Sequence, residues 1–588
     1  MTAERVPTAA TAAALVAVVA VVYGNALNAG FVGDDFMILH RLRAMAGPSD
    51  VLRFFRGEFF EYYRPLGFVA QAVDWAIARD TAAQFHFTNI LIHAANTVLV
   101  LLIGRSLAPG PVAGPLAALL FAVHASNHEA VVWISARFDL LATLFSLAAV
   151  WWTIRQGRGA PIAAPILFLC AMLSKESAVA LPVAAAAFAV FCLRTGRVET
   201  ARRLAPWLAA LAAYGVLRHV AGGVSPIGGA SRLPKLAAFL VLLAALVLAA
   251  GGRWLRAGEW LRANRGLAAT AAIAGVAAMC AVAIAGGPAG RLAEDKLAVA
   301  GFSLFHLASP VLDRSDVPFY LREGTTISWL GGAIALVCAI AAAAAAWRFL
   351  VDDDRIWFLG AFLVAALLPI SALTEGTRYL YLPSAAASLI VAMVAVELRG
   401  RARAAAGLVI GLLLALSTVQ VVVKVRDWVW AGRMTAEGAR LVDASLAPSC
   451  GDGHVVFLTE PVGIRSVYTH FLYETFEVPR GCMPAVFQVL LRIVRVDATV
   501  DARRDGPSRI VLTVPRYRGN FLASADLRNF DVPIRGDGRV TVDTPLGVLQ
   551  GESAGDIETL TLSLRPGIDP ARIQFFYYSD GHVRPLAN

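Results

Sequence analysis

Apolar residues run along this chain in long blocks separated by short polar stretches. Windows long enough to cross a bilayer, about 18 residues, recur between residues 8 and 423. Hydropathy predicts about thirteen membrane spans, over 8–28, 86–105, 112–125, 131–153, 161–174, 178–193, 204–220, 235–251, 267–286, 326–347, 355–372, 379–397 and 404–423. Arginines mark every second connection: Arg105; Arg155 and Arg158; Arg194, Arg197, Arg202 and Arg203; Arg253, Arg256, Arg262 and Arg265; Arg348 and Arg355; Arg399, Arg401 and Arg403. Basic residues favour cytoplasmic loops, so this alternation predicts a cytoplasmic N-terminus. The remaining loops then face outward, beginning with residues 29–85. Arg5 followed by an apolar run to Tyr23 has the outline of a signal peptide. No A-x-A cleavage pattern precedes Gly30 and further spans follow, so we read this segment as a retained helix.

After residue 423 the pattern changes. "VVFLTE", "RIVLTV", "RVTVDT", "LTLSL" and "IQFFYY" are short β-type runs, punctuated by turn signals such as "DGP", "GDG" and "RPG". The expected division is a transmembrane domain over 1–423 and an extracytoplasmic tail over 424–588, with a mainly β domain from about residue 452. No repeat of 20 to 50 residues is visible.

Composition sharpens this picture. Of 588 residues, 58% are hydrophobic and only 16% charged, against roughly 25% charged in soluble domains. The mean hydropathy is +0.64. The expected fold class is an α-helical polytopic membrane protein of the inner (plasma) membrane, with a small C-terminal β-rich domain. The net charge of +10 lies in loop clusters between spans, so it points to membrane topology and not to nucleic acid. Cys170, Cys192, Cys280 and Cys338 fall in apolar runs and read as packing residues. Cys450 and Cys482 lie in the polar tail, where a disulfide and two free thiols are equally open.

The predicted outward loops carry the polar residues that lack an obvious structural job. "FVGDDF" places Asp34 and Asp35 side by side, and "EFFEYYRPLG", "HASNHEAVVWISARFDLL", "LSKES" and "TEGTRYLYLP" follow. Each has a plain alternative. An Asp pair beside a helix is often a solvated cap. Lys175 and Glu176 form an adjacent helix-end pair. "RYLYLP" has the composition of an interfacial belt. His124, His128 and Glu129 read H-x-x-x-H-E, which is not the HExxH zinc pattern. Convergence on one face of the membrane favours an interfacial site, because ionisable groups there must be solvated or paired.

In order, "FVGDDF", "YYRPL", "FHFTNILIHAANTVLV", "FAVHASNHEAVVWISARFDLLA", "LSKESA" and "RYLYLPS" resemble the GT-C superfamily of membrane glycosyltransferases. The similarity is to the TMTC-like and PMT-like O-mannosyltransferases and runs from about residue 20 to 390. The resemblance implies transfer of a sugar from a polyprenyl-phosphate donor at the extracytoplasmic face. It implies an acid of the first outward loop at the reaction centre, here Asp34 or Asp35, with Asp34 favoured. A carboxylate there can take the proton of an attacking hydroxyl. Arg64, Arg137, Lys175 and Arg378 are the candidates to stabilise the departing lipid phosphate. Tyr379 and Tyr381 are candidates to line the lipid or sugar path. His124, His128 and Glu129 are candidates to orient the acceptor or hold a divalent metal. Two features depart from the family pattern. "HASNHE" lacks the usual Pro and has Asn127 with an extra His128, and a β-rich tail stands where eukaryotic members carry TPR repeats. The acceptor is therefore open between a protein, a lipid and an envelope glycan.

Two other classes compete. A transporter or flippase of lipid-linked sugars should place its polar residues near the bilayer midplane, on broken helices. A scaffold that merely anchors the β domain needs only one span. Residues 222–235, "GGVSPIGGASRLPK", read either as a linker or as a mobile loop gating donor entry. The β domain reads either as a glycan-binding module or as a cap over the loops.

Overall fold

The computed structural model describes residues 8–57, 62–221, 265–285, 287–308, 353–372, 376–398 and 400–445, and most of the strands between 454 and 587. The candidate spans over 235–251 and most of 326–347, the 222–235 loop, Cys338, Cys450 and Cys482 lie outside the described residues. Those described divide into two compact units. One holds residues 8–27, 45–308 and 353–425; the other holds 28–44 and 426–587.

The first unit is helical. Its principal helices are α1 (Thr8–Tyr23), α3 (Pro65–Ala78), α4 (Ala82–Leu107), α5 (Ala113–Ala122), α6 (Arg137–Arg155), α7 (Ala160–Ser174), α8 (Leu181–Ala187), α9 (Arg197–Val220), α10 (Arg265–Ala285), α11 (Gly287–Ala308), α12 (Asp354–Leu367) and α13 (Tyr381–Glu397). A short helix α2 (Asp35–Arg43) belongs to the second unit, and α14 (Gly400–Ser445) runs through both. Among the described residues, five helical stretches are long and apolar enough to cross a membrane: Thr8–Asn28, Ala82–Leu107, Ile134–Arg155, Thr377–Glu397 and Ala402–Leu441. Several shorter apolar helices accompany them.

Hydropathy located the blocks but not their breaks. The run expected over 178–193 is a 3₁₀ turn (Glu176–Ala180), the seven-residue α8 and a π turn (Phe188–Cys192). Apolar content alone cannot register such changes of helical pitch. Conversely, α3 is an apolar helix inside the long first loop, started by Pro65 at its first position, where a missing N–H costs nothing.

Helix α4 is central and packs on α1, α5 and α6. At the α5 contact the backbones touch: a Cβ added to Gly104 would lie 2.7 Å from the Gly114 Cα. Small residues let membrane helices approach in this way, gaining dispersion contacts where hydrophobic burial supplies little. His86, Asn89, His93, Asn96 and Thr97, spaced three or four apart, form a buried polar stripe along α4. That stripe faces the bundle interior, where such groups find partners.

In the second unit, strands appear where the β-type runs predicted them. β1 (His454–Phe457), β2 (Val486–Val489), β8 (Ile573–Ser579) and β9 (His582–Pro585) form a sheet in the order β9-β8-β1-β2, in which β1 pairs parallel with both neighbours. β3 (Asp501–Arg504), β4 (Arg509–Pro515), β5 (Arg539–Thr544), β6 (Gly547–Ala554) and β7 (Ile557–Leu564) form an antiparallel sheet in the order β5-β6-β7-β4-β3. Alternation sets which face is buried: Leu560, Leu562 and Leu564 point inward, while Ser563 is exposed.

Candidate active site

In the second unit, "GDDF" turns into α2. Asp35 opens that helix, is buried, and accepts the Val32 N–H at 3.0 Å through Oδ2. Its carboxylate therefore closes the loop it belongs to. Asp34, one position earlier, is half-buried and makes no side-chain cap. Upstream, Gly30 lies against Gly432 of α14, so tightly that a Cβ on Gly432 would sit 2.4 Å from the Gly30 nitrogen.

In the first unit, two further candidates, Lys175 and Arg378, meet over the ring of a third, Tyr379. Glu129 lies in the short helix His128–Val132, and Thr377–Leu380 is a 3₁₀ turn leading into α13. That turn wraps the Glu129 carboxylate. Arg378 Nη1 donates to Oε1 at 2.5 Å, while Thr377 Oγ1 and the Arg378 backbone N–H donate to Oε2 at 2.7 and 2.9 Å. Burial alone would raise this carboxyl, but the Arg378 guanidinium and the two donated hydrogen bonds outweigh it and hold it at about 2. Arg378 also donates to the Tyr379 hydroxyl at 2.9 Å and lies 4.5 Å from the Tyr379 ring and 4.9 Å from that of Trp133.

Lys175 approaches the same Tyr379 ring, its Nζ 4.7 Å from the centroid. It caps the C-terminus of α7 and donates at 2.6 Å to both oxygens of Asp139, which sits in the first turn of α6. Lys175 and Glu176 are thus not each other's partners. Glu176 pairs with Arg64 at 2.9 Å and Arg218 at 3.4 Å. Arg64 in turn lies within the electrostatic reach of Tyr379 and Asp139. A small cleft, partly open to solvent, is lined by Asp139, Thr143, Ser146, Ser177, Arg378 and Tyr379 among others.

Other candidates serve as internal braces. Arg137 is fully buried: it donates to Asn89 at 2.8 Å, to the Ala70 and Phe85 carbonyls at 3.1 and 2.7 Å, and pairs with Asp74 at 2.5 Å. Tyr381 is buried with its hydroxyl 2.6 Å from His93 Nδ1 and 3.2 Å from Asn96. His124 engages Ser126 and the Leu307 carbonyl; His128 Nδ1 engages the Ala125 carbonyl. Burial, with the Lys424 charge second, pushes the His128 imidazole down to about 4. With Glu129 wrapped by Thr377 and Arg378, these three do not fit a metal donor set. Among the described residues no group of three or more His, Cys, Asp or Glu is placed to hold a metal ion.

Asp139, Thr377 and Trp133 were not singled out by sequence reasoning. Asp139 stands two places after Arg137 in "ARFDLL", but nothing local pairs it with a lysine 36 residues away.

No family model matches the chain. The Drosophila melanogaster protein O-mannosyl-transferase Tmtc1 is 30% identical over 173 residues, 27% of this chain and 20% of that protein. Mouse (Mus musculus) protein O-mannosyl-transferase TMTC3 is 30% identical over 145 residues, 23% of this chain and 16% of that protein. The match thus spans a fifth or less of these relatives' own length. Among solved structures, the Archaeoglobus fulgidus oligosaccharyltransferase in its apo form aligns at a TM-score of 0.45 and 12% identity, over 82% of this chain and 65% of that one. Over about a quarter of its length, then, the chain is similar to the TMTC protein O-mannosyltransferases, the group its ordered motifs resemble.

Proposed function

We propose that this protein is a membrane glycosyltransferase of the GT-C type, which moves a sugar from a polyprenyl-phosphate carrier to an acceptor hydroxyl at the extracytoplasmic face. The observation that carries the reading is the meeting of Lys175 and Arg378, from two distant segments, over the Tyr379 ring, with the Arg64 charge acting on Tyr379 and Asp139 as well. A phosphate at a membrane boundary needs cations held in place by partners, and all three are so held. The TMTC relatives are named for mannosyl transfer to protein oxygen, which makes mannose and a protein hydroxyl the first donor and acceptor to try.

In this reading the acceptor O–H attacks the anomeric carbon, the bond from that carbon to the phosphate oxygen breaks, and the phosphate leaves with the electron pair. The resemblance gives the acceptor proton to Asp34; Asp35 is committed to the Val32 N–H. Arg378, Lys175 and Arg64 offset the charge that grows on the leaving phosphate. Such a displacement inverts the anomeric centre. Arg137 and Tyr381 support the walls, and Glu129 orients Arg378. The reading includes about thirteen spans, a cytoplasmic N-terminus and an outward β-rich tail in the inner membrane.

The test is transfer from radiolabelled polyprenyl-phosphate sugars in membranes holding the wild type or Asp34→Asn at matched expression. Loss of transfer with donor binding retained supports the assignment. Equal transfer by both removes Asp34 from the mechanism. Movement of the lipid-linked sugar across the bilayer, without transfer by either protein, identifies a transporter instead.

A further inference from the structure

Asp139 has no assigned role, yet it shares the cleft with Arg378 and Tyr379. Its two oxygens each hold the Lys175 ammonium at 2.6 Å, and both side chains are 7% exposed. The local fold favours the pair. Asp139 sits at the N-terminal end of α6, where the helix dipole suits a carboxylate, and Lys175 at the C-terminal end of α7, where it suits a cation. Stability is a weak reason for such a pair, because buried ion pairs roughly break even against apolar packing. Two of the three ammonium donors face Asp139, and the amine stands over the Tyr379 ring.

We propose that Asp139 is a positioning residue for the donor phosphate: it fixes Lys175 beside Tyr379 and keeps it a cation, so that Lys175 and Arg378 meet the phosphate together. This rests on the lipid-phosphate reading given above. The groups facing Lys175 explain why a counter-charge is needed. Burial pushes its ammonium below the ordinary lysine range; Asp139 chiefly, and Tyr379, oppose this, while Arg64 and Arg378 press it further down. Without Asp139 the amine keeps its burial and the two neighbouring guanidinium charges but loses its chief counter-charge, so it gives up its proton at lower pH than in the wild type.

The experiment is the donor dependence of transfer, measured on the full-length protein in nanodiscs with polyprenyl-phosphate mannose, from neutral to alkaline pH. The variants are Asp139→Asn, Asp139→Glu, Lys175→Ala, Lys175→Arg and the pair Asp139→Asn with Lys175→Arg. Asp139→Asn should raise donor KM about tenfold or more on the alkaline side, moving the basic limb of kcat/KM down by about one pH unit or more. Lowering the pH should close that gap. Arginine does not titrate in this range, so the double variant should regain the lost limb. Asp139→Glu should stay near the wild type. A loss from Asp139→Asn that is the same at every pH and is not recovered by Lys175→Arg makes Asp139 a structural brace and overturns the proposal. Should Asp139→Asn fail to accumulate, Lys175→Arg alone decides: the basic limb must flatten, and an unchanged limb overturns it. Lys175→Ala separates the two readings. Unchanged donor KM in that variant removes Lys175 from the phosphate site altogether. A raised KM there, with Asp139→Asn silent, defeats only the role of Asp139.

Discussion

At the scale of single residues, the chemistry turns on which charges are committed. Glu129 gives both oxygens to the turn that carries Arg378. Glu129→Gln leaves the guanidinium without its counter-charge in a mostly buried site, a kind of change that costs about 3 kcal/mol when fully buried and less here. We expect donor KM to rise by about tenfold or more in Glu129→Gln, because Arg378 loses its anchor. An unchanged donor KM would remove Glu129 from the positioning of the donor site. Held at about 2, Glu129 stays ionised at every working pH, and its stabilising contribution disappears only as pH falls from 4.5 toward that value.

His128 behaves in the opposite sense. Its folded imidazole resists protonation until about 4, while the unfolded chain takes up a proton near 6.5. The unfolded state therefore binds more protons in that window, and stability falls as pH drops through it. The melting temperature of the purified protein should decline between these two values, and less steeply in His128→Gln. Parallel slopes in both proteins would show that His128 is not buried as described.

At the scale of elements, α14 is one helix with two different surroundings. Its 46 residues reach about 69 Å at 1.5 Å per residue. The apolar first part exposes Leu408, Val409, Leu412, Leu416 and Val419. The later part buries Trp428, Ala431, Gly432, Met434 and Gly438, on a face that meets Gly30 and the β8–β9 side chains Tyr578 and Val583. The loop carrying Asp34 thus rests on the same helix as the β sheet. Gly→Ala inside a helix ordinarily stabilises it by about 1 kcal/mol. Gly411→Ala, with open space around it, should follow that rule; Gly432→Ala should instead destabilise, because the new methyl meets the Gly30 backbone. Thermal unfolding of the two variants side by side checks this, and equal stabilisation of both would refute the contact.

At the scale of the whole molecule, the proposed orientation is directly measurable. Single cysteines at the exposed positions Arg158 and Ser563, in a background without native cysteines, should differ in intact cells. A membrane-impermeant maleimide should label Ser563→Cys from outside, and Arg158→Cys only after permeabilisation. Labelling in the reverse order would invert the topology and move the site to the cytoplasmic face.

What the sequence determined by itself are the properties that depend on neighbours within a few residues. Apolar runs foretold the helices α4, α6 and α13, and short β-type runs foretold the strands Arg509–Pro515, Arg539–Thr544 and Ile573–Ser579. The types of residue suited to phosphate chemistry were also legible, as motifs in order. Tertiary structure alone decided which of them share a site. Arg64 finds Glu176 112 residues away and Arg378 finds Glu129 249 residues away, while Arg137, of the same chemical type, is consumed inside the bundle. Hydropathy and periodicity carry no information about such partners, because a charge in a low-dielectric interior is defined by what faces it across the helices and not by what adjoins it along the chain.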